Sequence, residues 1–371
     1  MPAKELTDLC MDCKEEKFIL TIRKRRLCSC CFTKFISYKV MQHMSKYSTR
    51  KNPGKATTSL LLPLSLGVSS SVLLHILDQG IQRQRAKPYA TLDFDIHILV
   101  IDPATIHLSS AQYNQIYEAI GKLCPDVSLT RVPFHSVFEY VPNMKDIMRE
   151  YAGPRFSDDE LQTNEDRLAA FRASVSTATS KDDLDSVLLT RLVVGFAQKA
   201  GYETVIWGDS DSRLAAKTLA GVSKGRGASL TWLVSDGMSP WGIGFDFPLR
   251  DLSKFELEQY LSVCPELSTI VIPDEPPSDN VLTKNMSIDE LMLRYVQTQG
   301  QKYRGIMANV GRTANKLEST AGSDDPLCSL CGGLVGNVKG NTGVTVASQA
   351  GDNQSSKFCY GCMRSRPEAL C

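Results

Sequence analysis

The sequence predicts an α/β fold: a doubly wound, mostly parallel sheet with a small cysteine module at each end of the chain. Three observations predict it. Strand-like and helix-like segments alternate through the middle of the chain, the pattern that builds parallel sheets. The cysteines gather at the ends: of 12, five lie before residue 32 and five after residue 327, leaving Cys124 and Cys264 between. A length of 371 residues with 42% hydrophobic content is ample for the core such a sheet needs.

The elements follow in order. Residues 59–64 form a short apolar strand, a Gly/Ser loop follows, and 72–84 are helical. A second strand, 94–101, ends at Asp102, and then come a helix at 112–123 and a strand at 128–132. Residues 182–200 are strongly periodic, with Leu184, Val187, Leu188, Leu192 and Phe196 on one helical face. Strands at 204–207 and 230–234 each precede a helix, at 211–220 and 252–263. A single long helix is expected over 287–316, with Gly300 or Gly311 as its weak point. The polar stretch 151–179 and the Pro- and acid-rich stretch 273–285 read as insertion or linker, and 332–356 as a loop with little folding drive. The domain boundaries expected are 1–55 (zinc ribbon with a basic arm), 56–275 (α/β domain), 276–325 (linker and helix) and 326–371 (second zinc module).

Charge is unevenly spread. The chain carries a formal +1, yet residues 1–60 hold 13 Lys/Arg against 5 Asp/Glu, and between Lys17 and Lys55 there are 11 basic residues and no acid. A solvated surface is the plain account of such a run. Its length and interleaved aromatics (Phe18, Phe32, Phe35, Tyr38, Tyr47) favour a polyanion site, because phosphate neutralisation and base stacking draw on these residue types. Arg23, Lys24, Arg25, Arg26, Lys34 and Lys39 are the candidate contacts. Lys4, Glu5 and Asp8 do not suit a signal peptide, and Pro63, Gly67 and His75 interrupt the most apolar stretch, so an intracellular protein without membrane contact is expected. In a reducing compartment, clustered cysteines point to metal rather than disulfides.

The cysteine spacing is specific. Cys10 and Cys13 make one CxxC pair and Cys28 and Cys31 another, with fourteen residues between the pairs. Cys328 and Cys331 pair in the same way with Cys359 and Cys362. Two such knuckles present four thiolates to a tetrahedral Zn²⁺, so two structural zincs are expected. Cys30 competes inside its knuckle, and Cys371 has no assigned partner.

Between the first strand and its helix runs Ser65-Leu66-Gly67-Val68-Ser69-Ser70. A Gly/Ser loop feeding a helix N-terminus is an anion site built of backbone N–H groups, though serines also serve simply as caps. The segment resembles the SGGxDS phosphate loop of PP-loop ATP pyrophosphatases. Ser65, Gly67 and Ser70 match; Leu66 replaces a glycine and Ser69 the aspartate. Leu66 is expected to crowd the approach of phosphate. A second signature of that family, Gly-His-Asn-x-Asp-Asp, reads here Gly208-Asp209-Ser210-Asp211-Ser212-Arg213.

The whole order of motifs, with Cys31-Phe32, the PP-loop-like domain, Ser287-Ile-Asp-Glu-Leu291 and the second knuckle pair, resembles the two-zinc tRNA thiolases and their degenerate paralogue. Active members carry a central CxxC and a further cysteine that hold an iron–sulfur cluster or handle sulfur; here no CxxC lies between residues 32 and 327. The resemblance therefore implies a degenerate subunit with no catalytic residue, no iron–sulfur cluster and a weakened claim on ATP. It implies a cytoplasmic heterodimer with a catalytic thiolase, a ubiquitin-related modifier as sulfur donor, and the Lys, Glu and Gln tRNAs as substrates of wobble-uridine 2-thiolation. The competing readings are an active ATP-dependent tRNA 2-thiouridine synthetase, which the eroded loop, the lost acidic pair and the missing cysteines oppose, and an unrelated zinc-ribbon protein with a Rossmann-like core.

Overall fold

The computed structural model describes residues 8–49, 57–88, 92–102, 110–154, 156–273, 286–317, 325–335 and 357–367. The chain opens on a hairpin of β1 (Leu20–Ile22) and β2 (Arg25–Leu27). Its two turn residues, Arg23 and Lys24, both have positive φ, 48° and 69°. That left-handed pair matches the twist of the flanking strands. Next comes α1 (Ser29–Met44), which was legible as charge but not as helix. Phe32, Ile36, Val40 and Met44 recur every four residues and are buried, so α1 lies on the core by an apolar stripe while its lysines face outward. The basic stretch is thus a hairpin and a packed helix as far as it is described, and not an arm. Its last residues, 50–55, lie outside the described residues.

The main sheet has six strands in the order β5-β4-β3-β6-β8-β7. These are β3 (Thr58–Pro63), β4 (Phe94–Asp102), β5 (Ser128–Pro133), β6 (Thr204–Ile206), β7 (Gly237–Met238) and β8 (Gly244–Asp246). Every pairing is parallel except β7 with β8. The doubly wound, mostly parallel α/β architecture is as the sequence predicts. Side chains alternate across it. Leu60, Leu62, Ile96, Ile98 and Ile206 enter one core with α1, α2 (Val68–Arg85), α3 (Ser110–Leu123) and α10 (Lys254–Val263). Leu61, Leu99, Val205 and Phe245 enter the other, with α4 (Val137–Tyr140), α5 (Met144–Ala152), α6 (Asn164–Ala173), α7 (Ala178–Ala200) and α9 (Leu230–Leu233).

Several segments differ from expectation. The strand expected over 230–234 is instead the short helix α9, Leu230–Leu233, since a short apolar run does not distinguish the two. The neighbouring strands β7 and β8 are too short to show alternation. Residues 151–179 are no loose insertion: Phe171 is fully buried, and Asp158, 2% exposed, receives Arg149 and Arg167. The long helix over 287–316 is two, α11 (Ile288–Lys302) and α12 (Arg304–Ala314). They meet at Tyr303, shortly after Gly300, so the break falls near one of the two glycines expected to weaken the helix. Both helices pack on α8 (Asp211–Ser223), where Val296 and Met307 bury Ala215 and Ala216. Residues 274–285 and 336–356 lie outside the described residues. The last helix is α13 (Tyr360–Ser365).

Candidate functional site

The chain lays down β3, β4 and β5 in one direction, then returns to place β6 on the far side of β3. The switch point between β3 and β6, at the carboxyl ends of the strands, is where ligands bind in such sheets. The sequence's two candidate motifs meet there. Gly67 caps α2 with an extended backbone and without a side-chain capping hydrogen bond. Ser65 Oγ and Ser70 Oγ stand 3.0 Å apart, and Ser70 Oγ also donates to the Gly67 carbonyl at 3.2 Å. Ser70 is buried, Ser69 half-exposed and Ser65 exposed. Across the crevice, a Cβ added to Gly208 would lie 2.7 Å from Ser70 Cα, so the two motifs touch backbone to backbone.

Leu66 does not crowd the loop as expected. It holds φ at 62°, the left-handed conformation glycine favours, while its side chain is 2% exposed and packs into the core beneath. Its carbonyl accepts the Ile272 amide at 2.8 Å. Leu66 thus takes a backbone conformation that glycine favours, at a conformational cost of about 1–2 kcal/mol.

The acids of the second motif are occupied. Asp209 accepts Lys217 at 2.6 Å. Asp211 has its pKa raised by burial, against a hydrogen bond from Ser212. Ser210 caps α8 through the Arg213 amide, and the Arg213 side chain is exposed. The central cysteines lie elsewhere. Cys124 follows α3 and precedes the amino end of β5, away from the crevice; burial pushes its thiol up to about 12. Cys264 ends α10, and burial followed by the Glu266 charge also raises its pKa. Neither is poised as a thiolate nucleophile.

The eight predicted ligands converge in two groups. In each of Cys10, Cys13, Cys28, Cys31 and Cys328, Cys331, Cys359, Cys362, all four sulfurs lie within 4.8 Å of one another. Four sulfur donors at these separations fit one tetrahedral metal ion. Cys30 is exposed and outside its group. In the N-terminal centre, Cys28 caps α1 by accepting the Cys31 amide. In the C-terminal centre, Gly332 turns the knuckle at φ 69°, and a Cβ there would meet the Trp241 ring at 2.8 Å. Two other groupings, His75–Cys264–Glu266 and His43–Asp236–Asp246, are already engaged in protein hydrogen bonds: His75 with Gln79 (3.0 Å) and Tyr260 (3.2 Å), Asp246 with Lys46 and Tyr47.

The basic candidates divide. Arg23 is turned to the domain, where its guanidinium grips Glu256 of α10 at 2.7 and 2.9 Å. Arg25 reaches Asp12 at 2.6 Å, and Arg26 lies over the Phe18 ring. Lys24 and Lys34 are exposed and Lys39 half-exposed.

Sequence reasoning missed the groups behind the C-terminal centre. Arg226 places Nη1 and Nη2 each 3.5 Å from Cys362 Sγ. Its other edge pairs with Asp183 of α7. Asp183 is held charged by Arg226 and Lys224 in spite of burial, so its pKa lies below the ordinary value. No spacing or periodicity marks these residues.

Among the described residues no helix is long and apolar enough to cross a membrane. The family model described as cytoplasmic tRNA 2-thiolation protein 2 matches residues 287–354. A curated protein of that name from Aspergillus clavatus is 52% identical over 99% of both chains, and one from Neosartorya fischeri is 52% identical over 100% of both. The fold is similar to that of the U34-tRNA thiolase NcsA from Methanococcus maripaludis, solved with its [4Fe-4S] cluster. That match has a TM-score of 0.52 at 14% identity and covers 89% of this chain and 92% of that one. Identity at this level over the full length leaves one assignment: the chain belongs to the cytoplasmic tRNA 2-thiolation protein 2 family.

Proposed function

We propose that this chain is the non-catalytic, tRNA-binding subunit of a cytoplasmic wobble-uridine 2-thiolation complex. Its partner in a heterodimer is a catalytic PP-loop thiolase, which takes sulfur from a thiocarboxylated ubiquitin-related modifier and delivers it to Lys, Glu and Gln tRNAs. One observation carries the reading: the two loop motifs meet at the switch point of the sheet, Gly208 against Ser70, yet without the working groups of a nucleotide site. Adenylation of the uridine C2 oxygen needs Mg²⁺ held by carboxylates beside a phosphate loop. Here Ser69, Ser212 and Arg213 stand where carboxylates belong, Asp209 is tied to Lys217, and Ser65 and Ser70 bond to each other. Sulfur delivery needs a thiolate or cluster near the activated base, and Cys124 and Cys264 are buried thiols.

The chain's own contribution is then to hold tRNA. Lys24, Arg25, Arg26, Lys34 and Lys39 meet phosphates from the hairpin and α1, and Arg23 supports them by fixing the hairpin to Glu256. One zinc holds the N-terminal module that carries this surface, and the second holds the C-terminal module, which packs in the other core. Purification of the tagged chain from cells tests the proposal. A PP-loop thiolase carrying the central cysteines, recovered with these tRNAs, supports it. Recovery of the chain with neither contradicts it.

A further inference from the structure

We propose that Arg226 is the positioning residue of the C-terminal metal centre, through which metal loading fixes α7 and α11 against the domain. Arg226 lies in the link between α8 and α9 and is 7% exposed. Its guanidinium is shared by two acceptors. One edge faces sulfur: Nη1 and Nη2 are 3.5 Å from Cys362 Sγ, and Nη1 is 3.9 Å from Cys359 Sγ. The other edge faces carboxylate: Nε is 2.8 Å from Asp183 Oδ1, with Nη2 on Oδ2. Asp183 is itself 2% exposed and also accepts Ser365 Oγ of α13 at 2.8 Å. Lys224 then bridges Asp183, at 3.0 Å, to Asp289 in the first turn of α11, at 2.7 Å.

The charges make this chain of contacts conditional on metal. A divalent ion held by four thiolates carries two net negative charges, and burying them without a counter-charge is costly. Arg226 supplies one positive charge together with N–H donors to metal-bound sulfur, and outer-shell donors of this kind orient the ligands. Arginine is required by geometry as well as charge: only a planar fork presents one edge to sulfur and another to a carboxylate. Without the metal, Arg226 loses its sulfur acceptors, and the row Arg226–Asp183–Lys224–Asp289, buried up to Lys224, loses the anion that anchors one end. The N-terminal centre is the more open one: Cys13 and Cys31 are half-exposed there, whereas all four C-terminal cysteines are buried. The two centres should therefore differ in how they release metal.

The inference rests on reading the four cysteines as a metal centre, and the experiment separates the two. Full-length zinc-loaded protein and its Arg226→Met and Arg226→Lys variants are exposed to a colorimetric chelator. Alkylation of each cysteine, followed by mass spectrometry, assigns release to either centre. Hydrogen exchange is followed in α7 and α11. For Arg226→Met, release from Cys328, Cys331, Cys359 and Cys362 should be about 10–100-fold faster. Release from the N-terminal centre should be unchanged, and α11 exchange should rise. Arg226→Lys, which keeps the charge but not the fork, should fall between. If Arg226→Met does not fold, Arg226→Lys alone decides. Wild-type release and exchange in the variant that folds would overturn the proposal, as would equal acceleration at both centres. A wild-type protein with no metal at the C-terminal cysteines would overturn the metal reading and this inference together.

Discussion

Gly208 lies so close to Ser70 that a side-chain carbon on it would stand 2.7 Å from Ser70 Cα and 3.1 Å from Ser70 N. The obstacle is backbone, which has no rotamer to change. Gly208→Ala should therefore push β6 away from the start of α2 and cost about 1–3 kcal/mol, the usual penalty of overpacking. Urea unfolding checks this. The same change at Gly121, where an added Cβ meets nothing within 4 Å, should not destabilise the fold.

Two zinc ions per chain are expected, one in each cysteine group. Metal binding at such sites contributes directly to folding. Cys13→Ser and Cys331→Ser should each lower the metal content by one and expose only their own module to proteolysis. Elemental analysis of the undamaged protein measures the number, and fewer than two zincs contradicts the account.

Lys24 and Lys34 are the sharper tests of tRNA binding. Reversal of Arg23 breaks its grip on Glu256, so a four-residue reversal over 23–26 would mix lost structure with lost contacts. Replacing Lys24 or Lys34 by glutamine should weaken tRNA binding and lower the salt slope by about one unit each. Fluorescence anisotropy across a salt series reads both. Unchanged affinity in the Lys24/Lys34 double variant contradicts the assigned surface.

Acid should loosen residues 151–171. Burial works against charge on Asp158, but hydrogen bonds from Arg149 and Arg167 outweigh it, so its carboxyl is held below the usual value. A depressed pKa means stability that is complete above the unfolded value of about 3.9 and is lost as pH falls through the lower folded value. Asp158→Asn should destabilise the fold at neutral pH, chiefly because Arg167, whose side chain is 11% exposed, is left without its carboxylate. Its stability should also change less with pH below about 4 than that of the wild type. Unfolding curves from pH 2 to 7 check both.

Much of this was legible because local and tertiary signals agreed. The strands of 59–64 and 94–101 are apolar runs bounded by turn residues, and the CxxC pairs carry their ligand geometry in their spacing. What was missed depends on contacts made far along the chain. The stripe Phe32, Ile36, Val40, Met44 is helical, but it sits among lysines that drew the reading toward charge. Strands β7 and β8 have two and three residues and exist only because β6 offers an edge. Arg226 has no local mark at all, since Asp183 and Cys362 reach it from distant segments. The fate of Leu66 was missed because composition does not say which way a side chain leaves a strained turn.

The most direct test of the central claim is reconstituted thiolation with tRNA, ATP and a sulfur donor, measured as 2-thiouridine formed. The account predicts none from this chain alone and none after restoring Leu66→Gly with Ser69→Asp, because Cys124 and Cys264 remain buried thiols. It predicts product once a catalytic PP-loop thiolase is added, at a rate that depends on this chain. Thiolation by this chain alone, or full activity of the catalytic subunit without it, would contradict the account.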